Sequence, residues 1–153
     1  MVNNSLYQSY YTGRDGIERN TYFNGNSVTN VLAGKEYKLG KDGKNLLSLN
    51  IRMTYAGGKR HTPIDLEASV AKGEVVYDYN NRNSTKNKDF MRLDTRVAYT
   101  INKRRSSSTI SLDIQNTTNR ANVYNQYFDT DKNELAYNYQ MGLIPVLNYR
   151  LEF

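Results

Sequence analysis

The amino-acid sequence predicts an all-β protein, an antiparallel meander of about six long strands. The main observation is a strict alternation over the last nineteen residues, in which every second side chain is apolar or aromatic: Leu135, Tyr137, Tyr139, Met141, Leu143, Pro145, Leu147, Tyr149, Leu151 and Phe153. Side chains alternate faces along a strand, so this pattern gives one apolar and one mostly polar face. Shorter alternating stretches, separated by runs of Gly, Asn and Asp, recur upstream. No segment has a convincing helical period, so no helix is expected.

Composition limits the possible classes. The chain has 153 residues and a mean hydropathy of −0.78, and no apolar run approaches the roughly 18 residues of a membrane helix. Membrane β-strands alternate, so their mean hydropathy stays low. The absence of cysteine excludes disulfides and thiolate metal sites. The net charge of +6 is scattered, apart from Lys103–Arg105, and no nucleic-acid-binding motif accompanies it, so nucleic acid is not an expected partner.

The alternating stretches place the strands. Six are predicted, over residues 5–11, 27–39, 47–55, 90–101, 109–115 and 135–153. The alternation slips at Ala33–Lys35, which predicts a β-bulge at Gly34. The Asp-Gly pair within Gly40–Lys44 predicts a tight hairpin turn, and a second tight turn is expected over 102–108. The long connections, 12–26 and 56–88, then fall at the opposite end of the sheet, as in outer-membrane barrels.

Each strand offers two contrasting faces. A convex, lipid-facing surface is expected for Leu47, Leu49, Ile51, Met53, Leu93, Val97, Ile110, Leu112, Leu147 and Leu151. A concave surface is expected for Ser48, Asn50, Arg52, Arg92, Asp94, Arg96, Asp113, Asn148 and Arg150. Of these, Arg52, Arg92, Asp94, Arg96 and Asp113 are predicted to face the lumen, because charged mid-strand side chains suit a water-filled interior better than a dry core.

The final residues add a further feature. Tyr149, Leu151 and Phe153 extend one apolar face to the last residue. This pattern is typical of the C-terminal signal that barrel-assembly machinery reads, so these three residues are predicted to act in assembly. An ordinary β-sandwich strand is the alternative interpretation of the same pattern.

Four motifs occur in order along the chain: Asp15-Gly16-Ile17-Glu18-Arg19-Asn20, the stretch Leu49–Asp65 with Ala56-Gly57-Gly58-Lys59-Arg60-His61-Thr62-Pro63-Ile64-Asp65, Leu112–Arg120, and Tyr149–Phe153. Together they resemble the C-terminal barrel of TonB-dependent outer-membrane receptors. The resemblance implies that residues 1–153 are the C-terminal part of a plugged barrel of about 22 strands. Plug, earlier strands and export signal are then expected in a longer chain, since Met1–Ser5 does not resemble a signal peptide.

The resemblance also implies a function. The family imports scarce nutrients, namely ferric siderophores, cobalamin or oligosaccharides, across the outer membrane of Gram-negative cells. Its partners are outer-membrane lipid, the remainder of the barrel and the plug, the TonB complex reached through the plug, and the barrel-assembly machinery. No substrate-binding residue of the family transfers to a position in this chain.

Catalytic and metal chemistry is not expected. His61 is the sole histidine in the sequence, and Asp65 and Glu67 follow it in a stretch that Pro63 interrupts. Asp129, Asp131 and Asn133 have calcium-loop spacing but lack the required Gly and Glu. Neither an enzyme nor a cofactor is predicted. Two alternatives remain open: a soluble all-β ligand-binding module, and a barrel-embedded enzyme of the cell envelope.

Overall fold

The fold is all-β, with 57% of residues in strands and 7% in helices. The computed structural model describes residues 1–40 and 43–153. In chain order the strands are β1 (Val2–Leu6), β2 (Tyr10–Thr12), β3 (Glu18–Asn20), β4 (Ser27–Leu39), β5 (Asn45–Ala56), β6 (Arg60–His61), β7 (Thr85–Lys86), β8 (Phe90–Asn102), β9 (Ser107–Gln115), β10 (Val123–Asp129), β11 (Glu134–Tyr139) and β12 (Ile144–Glu152).

Six of these strands form one antiparallel sheet in the order β1-β4-β5-β8-β9-β12, which confirms the predicted six-stranded meander. The other strands pair locally, β2 with β3, β6 with β7 and β10 with β11. Within the described residues, β1 and β12 are the two edges and do not pair with each other. The sheet is therefore open.

Strand β4 matches its predicted bounds, but the predicted bulge is wrong. The β4–β5 register runs unbroken from Val28–Ala56 to Leu39–Asn45. The atom nearest to a Cβ at Gly34 is the side-chain amide oxygen of its cross-strand partner Asn50, which can rotate away, so the packing does not require glycine at this position. The slip in alternation reflects apolar residues on both faces of β4, such as Val31 on one and Leu32 on the other.

The continuous register separates the two faces as predicted. Leu49 pairs with Val97, Val97 with Leu112, and Leu112 with Leu147, so one row of apolar side chains crosses four strands. We call this the apolar face. The opposite face, which we call the polar face, carries the row in which Asn50 pairs with Arg96 and Arg96 with Asp113.

The two terminal predictions are wrong in extent. Residues 5–11 do not form one strand: β1 ends at Leu6 and β2 begins at Tyr10. The stretch 135–153 is divided into β11, which pairs with β10, and β12, which pairs with β9. The chain leaves the strand between them because Gln140 N donates to Asn122 O (2.8 Å) and Leu143 N donates to Asn119 Oδ1 (3.0 Å).

The connections differ between the two ends of the sheet. One end has the β4–β5 connection, in which Gly43 N donates to Gly40 O (3.1 Å), and the tight turn of residues 103–106, in which Lys103 N donates to Ser106 O (2.8 Å). Lys41 and Asp42, on which the predicted Asp-Gly turn depends, lie outside the described residues. The other end has the long segments 7–26, 57–89 and 116–143. The predicted asymmetry is confirmed, although the third long segment, built around the β10–β11 hairpin, was not expected.

The expectation of no helix is also wrong. A short helix, α1 (Leu66–Lys72), and a single 3-10 turn at Tyr79–Asn81 lie in the segment 57–89. Asp65 caps α1 by accepting a hydrogen bond from Ala68 N at 3.0 Å, and Gly73 ends it at a φ of 70°. Asp before and Gly after an apolar run are ordinary helix boundary signals, but seven residues are too few to show a helical period.

Close backbone contacts explain why the motif Ala56–Asp65 contains Gly57 and Gly58. A Cβ atom on Gly57 would overlap the backbone carbonyl of Gly25, and a Cβ atom on Gly58 would overlap that of Asn87. These overlaps are with backbone atoms, which cannot rotate away. Gly57-Gly58 therefore allows the segments 7–26 and 57–89 to pack backbone against backbone at the end of the sheet.

The sheet lacks a conventional apolar core. Among the described residues, the buried apolar side chains are Ile64, Ala98 and Phe128. On the apolar face, by contrast, Ile51 is 50% exposed and Leu147 is 71% exposed. The described part of the chain contains no helix with the length and apolar character needed to cross a membrane.

Candidate functional site

An ion-pair cluster lies at the centre of the polar face. Asp94 Oδ2 accepts from Arg52 Nη2 at 2.6 Å and from Arg92 Nη2 at 3.0 Å, while its Oδ1 accepts from Asn116 N at 2.9 Å. The Asp94 side chain is only 14% exposed, and that of Arg52 is 52% exposed. The carboxylate is therefore fixed by two guanidinium groups, which leave their outer surfaces open to solvent.

A second pair continues the cluster across the sheet. Asp113 Oδ2 accepts from Arg96 Nη1 at 3.3 Å and from Asn148 Nδ2 at 2.8 Å. The five residues predicted from the sequence, Arg52, Arg92, Asp94, Arg96 and Asp113, thus lie on one face of β5, β8 and β9. Three Arg against two Asp leave this cluster with a net positive charge.

The polar face is hollow. A cavity of about 560 Å³ spans β4, β5, β8, β9 and β12. Its lining includes Asn50, Arg52, Asp94, Arg96, Asp113 and Asn148. The cavity therefore lies on the polar face, among the charged side chains of the cluster.

Two asparagines that the alternation pattern does not mark fix the segment 116–143: Asn122 bonds it to β8, and Asn116 holds its first turn. Asn122, 4% exposed, accepts from Met91 N at 3.0 Å and donates to Met91 O at 2.9 Å. Asn116, 2% exposed, has a φ of 50° and makes the matching pair of bonds with the backbone of Arg120. Asn tolerates this left-handed backbone better than other residues with a side chain, which is the signal that could have marked Asn116.

The motif Asp15–Asn20 forms the turn of the β2–β3 hairpin. Arg19 Nη1 and Nη2 donate to Asp15 Oδ1 and Oδ2 at 2.9 and 2.7 Å, and Gly16 takes a φ of 73°. The Arg19 guanidinium lowers the pKa of Asp15 to about 2. The stretch lies in the predicted connection 12–26, but its last three residues, Glu18–Asn20, form the short strand β3, which was not predicted.

A second cavity lies between the long segments at the end of the sheet opposite the tight turns. We call it the tyrosine hollow. Its volume is about 310 Å³. Its lining consists of tyrosines, amide side chains and a few neighbours: Tyr22, His61, Thr62, Ile64, Tyr77, Tyr79, Asn83, Asn87, Tyr124, Asn125 and Gln126. None of these side chains carries a formal charge when His61 is neutral.

His61 and Asn87 line both the tyrosine hollow and a neighbouring cavity of about 510 Å³, so they form the wall between the two. His61 Nδ1 and Asn87 Oδ1 are buried without a hydrogen-bond partner in the described part of the chain. Burial lowers the pKa of His61, and the neighbouring Gln126 side chain opposes this with a smaller effect. A neutral His61 offers an unprotonated ring nitrogen that can accept a hydrogen bond.

The proposed assembly residues and the calcium-like run lie apart from these cavities. Tyr149 and Leu151 lie on the apolar face of β12, 67% and 43% exposed, and Phe153 follows the strand at 99% exposed. The run Asp129–Asn133 is the turn of the β10–β11 hairpin, with Asp129 Oδ1 accepting from Asp131 N at 3.0 Å. Within residues 1–40 and 43–153, no group of three acidic, His or Cys side chains could hold a metal ion.

Comparisons with known proteins give no match among protein-family models, curated proteins or solved structures. The function is therefore inferred from the geometry of this chain. The structure offers two candidate sites: the charged cavity on the polar face and the tyrosine hollow.

Asp94 is the residue on which the polar cluster depends, so we expect Asp94→Asn to lower the free energy of unfolding by about 1–3 kcal/mol. The amide cannot neutralise Arg52 and Arg92, and it must turn a donor toward one of them. Urea unfolding followed by circular dichroism measures the change. Glu152→Gln is the control, because its pair with Arg150 is exposed and is worth less than about 0.5 kcal/mol. Equal losses in both variants would contradict the central role of Asp94.

His61 makes stability depend on pH in a defined direction. Its pKa in the fold is lowered from the ordinary 6.5, so between the two values the unfolded chain binds more protons than the folded one. Stability therefore falls as pH decreases through this window and is fully present above it. The chain has one histidine, so the effect should be absent in His61→Gln. Urea unfolding at a series of pH values tests this, and an unchanged slope in the variant would refute it.

Proposed function

We propose that this chain is the C-terminal part of the β-barrel of a TonB-dependent outer-membrane transporter, which imports a scarce nutrient through a plugged barrel. In this proposal the apolar face contacts lipid in the outer membrane of a Gram-negative cell. The polar face lines the lumen, and the long segments form the outer loops. The observation that carries the proposal is the exposed apolar face of a sheet whose opposite face is charged.

The alternation is the reverse of that in a soluble sheet. A soluble sheet buries its apolar face against a second layer, whereas here Leu112 is 41% exposed, Val97 46% and Ile110 49%. No other described element covers them. A membrane β-strand has this arrangement because lipid takes the place of the second layer.

Strand length supports the same assignment. The strands β4, β5 and β8 contain 13, 12 and 13 residues, and β9 and β12 contain nine each. A tilted strand crosses the hydrocarbon core in about 9–11 residues, while ordinary strands average about 5–6. Five consecutive strands of the sheet are thus long enough to span a bilayer.

Tyrosines form a row near the tight-turn end of the apolar face. Tyr37 pairs with Leu47, Leu47 with Tyr99, Tyr99 with Ile110, and Ile110 with Tyr149, so Tyr alternates with an aliphatic residue over five strands. Membrane barrels carry such aromatic girdles at the interface, where the ring is apolar and the hydroxyl is hydrated.

The ammonium group of a lysine on the apolar face lies close to this row of tyrosines. Lys35 lies one row inside it, and its Nζ reaches to 5.1 Å from the centre of the Tyr37 ring. A long basic side chain near a membrane boundary extends its ammonium toward the polar interface in this way. Its direction, toward the Tyr row, agrees with a bilayer boundary at the tight-turn end.

The open edges are consistent with membership in a larger sheet. β12 presents nine residues along an unpaired edge, and β4 is covered only as far as Leu32, whose backbone N and O both bond Met1. An open edge cannot remain unpaired within lipid, since each unsatisfied backbone group is costly there. In the proposed transporter, the earlier strands pair with both edges and close the barrel.

A soluble all-β ligand-binding module is the alternative, and a charge on the apolar face distinguishes the two. In the complete barrel folded into phosphatidylcholine vesicles, Leu147→Arg should lower the free energy of unfolding by about 2–4 kcal/mol. The adjacent Asn148→Arg is the matched control, because Asn148 lies on the polar face and an arginine there still offers a donor to Asp113, so it should change little. Urea titration of the vesicle-folded barrel measures both. Folding without detergent or lipid, with Leu147→Arg improving solubility, would favour the soluble module.

Phe153 is proposed to act in assembly rather than in transport. Its ring is 99% exposed and extends the apolar face of Tyr149 and Leu151. We expect Phe153→Ala to lower the amount of heat-modifiable barrel in the outer membrane severalfold, with uptake per assembled molecule nearly unchanged. Phe23→Ala, at an exposed loop phenylalanine, is the control for assembly. Normal assembly with lost uptake would show that Phe153 has a transport role instead.

A further inference from the structure

We propose that the tyrosine hollow binds a neutral, polyhydroxylated ring, that is, one sugar unit of a saccharide. The proposal rests on the proposed function only for placing the hollow among the outer loops. The binding chemistry is argued from the side chains of the hollow itself. It selects one of the three nutrient classes that the resemblance leaves open.

The walls are aromatic. Tyr22, Tyr77, Tyr79 and Tyr124 all line the hollow, and Tyr79 and Tyr124 are 59% and 60% exposed. Tyr77 and Tyr79 are held side by side, with ring centres 6.0 Å apart. Exposed tyrosine rings offer flat apolar surfaces with polar tips. A sugar ring matches them, because it presents C–H groups on its faces and hydroxyl groups around its edge.

Polar groups in the hollow are amides rather than charges. Asn83, Asn87, Asn125 and Gln126 line the hollow. Asn83 Nδ2 already donates to Asn20 O and Gln126 Nε2 to Tyr137 Oη, but an amide nitrogen carries two hydrogens, so a donor remains on each. Hydroxyl groups also donate and accept, so amides pair with them without leaving a charge unneutralised. An anionic chelate calls for Arg or Lys in the lining, and the nearby cations are instead stacked on rings: Lys59 Nζ over Tyr22 at 5.3 Å and Arg82 Cζ over Tyr79 at 4.8 Å.

Two buried polar atoms in the wall lack partners. His61 Nδ1 and Asn87 Oδ1 are buried and have no hydrogen-bond partner among the described residues. Buried polar atoms in folded proteins nearly always have a partner, so such exceptions mark positions where a polar group is missing. A hydroxyl group both donates and accepts, so it suits either atom.

The size of the hollow fits a single unit of a chain. Its volume of about 310 Å³ is at the lower end of the roughly 300–1,000 Å³ found for small-molecule sites. This is too small for cobalamin and sufficient for a sugar ring with part of its neighbour. The adjoining cavity is separated from the hollow by His61 and Asn87, so the hollow itself accommodates a single unit.

The test uses the full chain folded in zwitterionic, sugar-free micelles, with folding verified by circular dichroism. Saturation-transfer NMR is run against neutral hexoses, N-acetylhexosamines and their tetrasaccharides, with a sialylated oligosaccharide as the charged probe. We expect at least one neutral saccharide to bind and Tyr124→Ala to weaken it roughly tenfold. Tyr10→Ala is the matched control, since Tyr10 is 47% exposed on β2 and does not line the hollow.

Several results would overturn the inference: no binding by any neutral saccharide, preference for the charged probe, or equal weakening by both tyrosine variants. The proposed function is judged separately, by whether the chain folds without detergent or lipid. A chain that folds in buffer and binds a neutral sugar refutes the transporter and retains the sugar site. A chain that needs micelles and binds none retains the transporter and refutes the sugar site.

Discussion

The structure depends on one constraint: a single sheet must satisfy two different surroundings at once. Its backbone hydrogen bonds are made between neighbouring strands, so no layer packed on either face is needed to form them. The side chains on the two faces, however, require different surroundings. The apolar face, with Leu147 71% exposed, is unfavourable in water, whereas the face holding Asp94 and Arg52 is unfavourable in lipid. In the proposed membrane barrel, lipid contacts the apolar face and water contacts the polar face, so neither unfavourable contact occurs.

Within the sheet, the polar and apolar faces are stabilised in different ways. Cross-strand charge pairs such as Arg52–Asp94 join non-adjacent parts of the chain, and Asn116 N connects the same carboxylate to the loop that follows β9. The loop layer is held by backbone contacts at Gly25 and Gly57 and by amide side chains. The long segments are thus attached to a hydrogen-bonded sheet, which is the usual relation between loops and scaffold.

The sequence predicted the sheet order, the bounds of β4 and which side chains of β5, β8, β9 and β12 share a face. These features could be predicted because the alternation of apolar and polar residues is visible within each strand alone. It could not predict that residues 135–153 divide, since β11 alternates as regularly as β12 and periodicity does not identify a pairing partner. The tyrosine hollow was also beyond reach. Tyr22, Tyr77 and Tyr124 come together only through the packing of three separate segments.

The side chain of Asn122 has a consequence for aggregation. β9 pairs with β8 only from Thr95 onward, which leaves the first residues of β8 with an open edge in the middle of the sheet. The Asn122 amide meets the Met91 N–H and carbonyl together, as a neighbouring strand does, and Thr117 N bonds Leu93 O at 2.7 Å. An uncovered edge of this kind is a template on which another chain can add a strand and begin a fibril. The Asn122 side chain occupies this edge of β8. Because a single amide group cannot pair with a further strand, no strand can be added at that point.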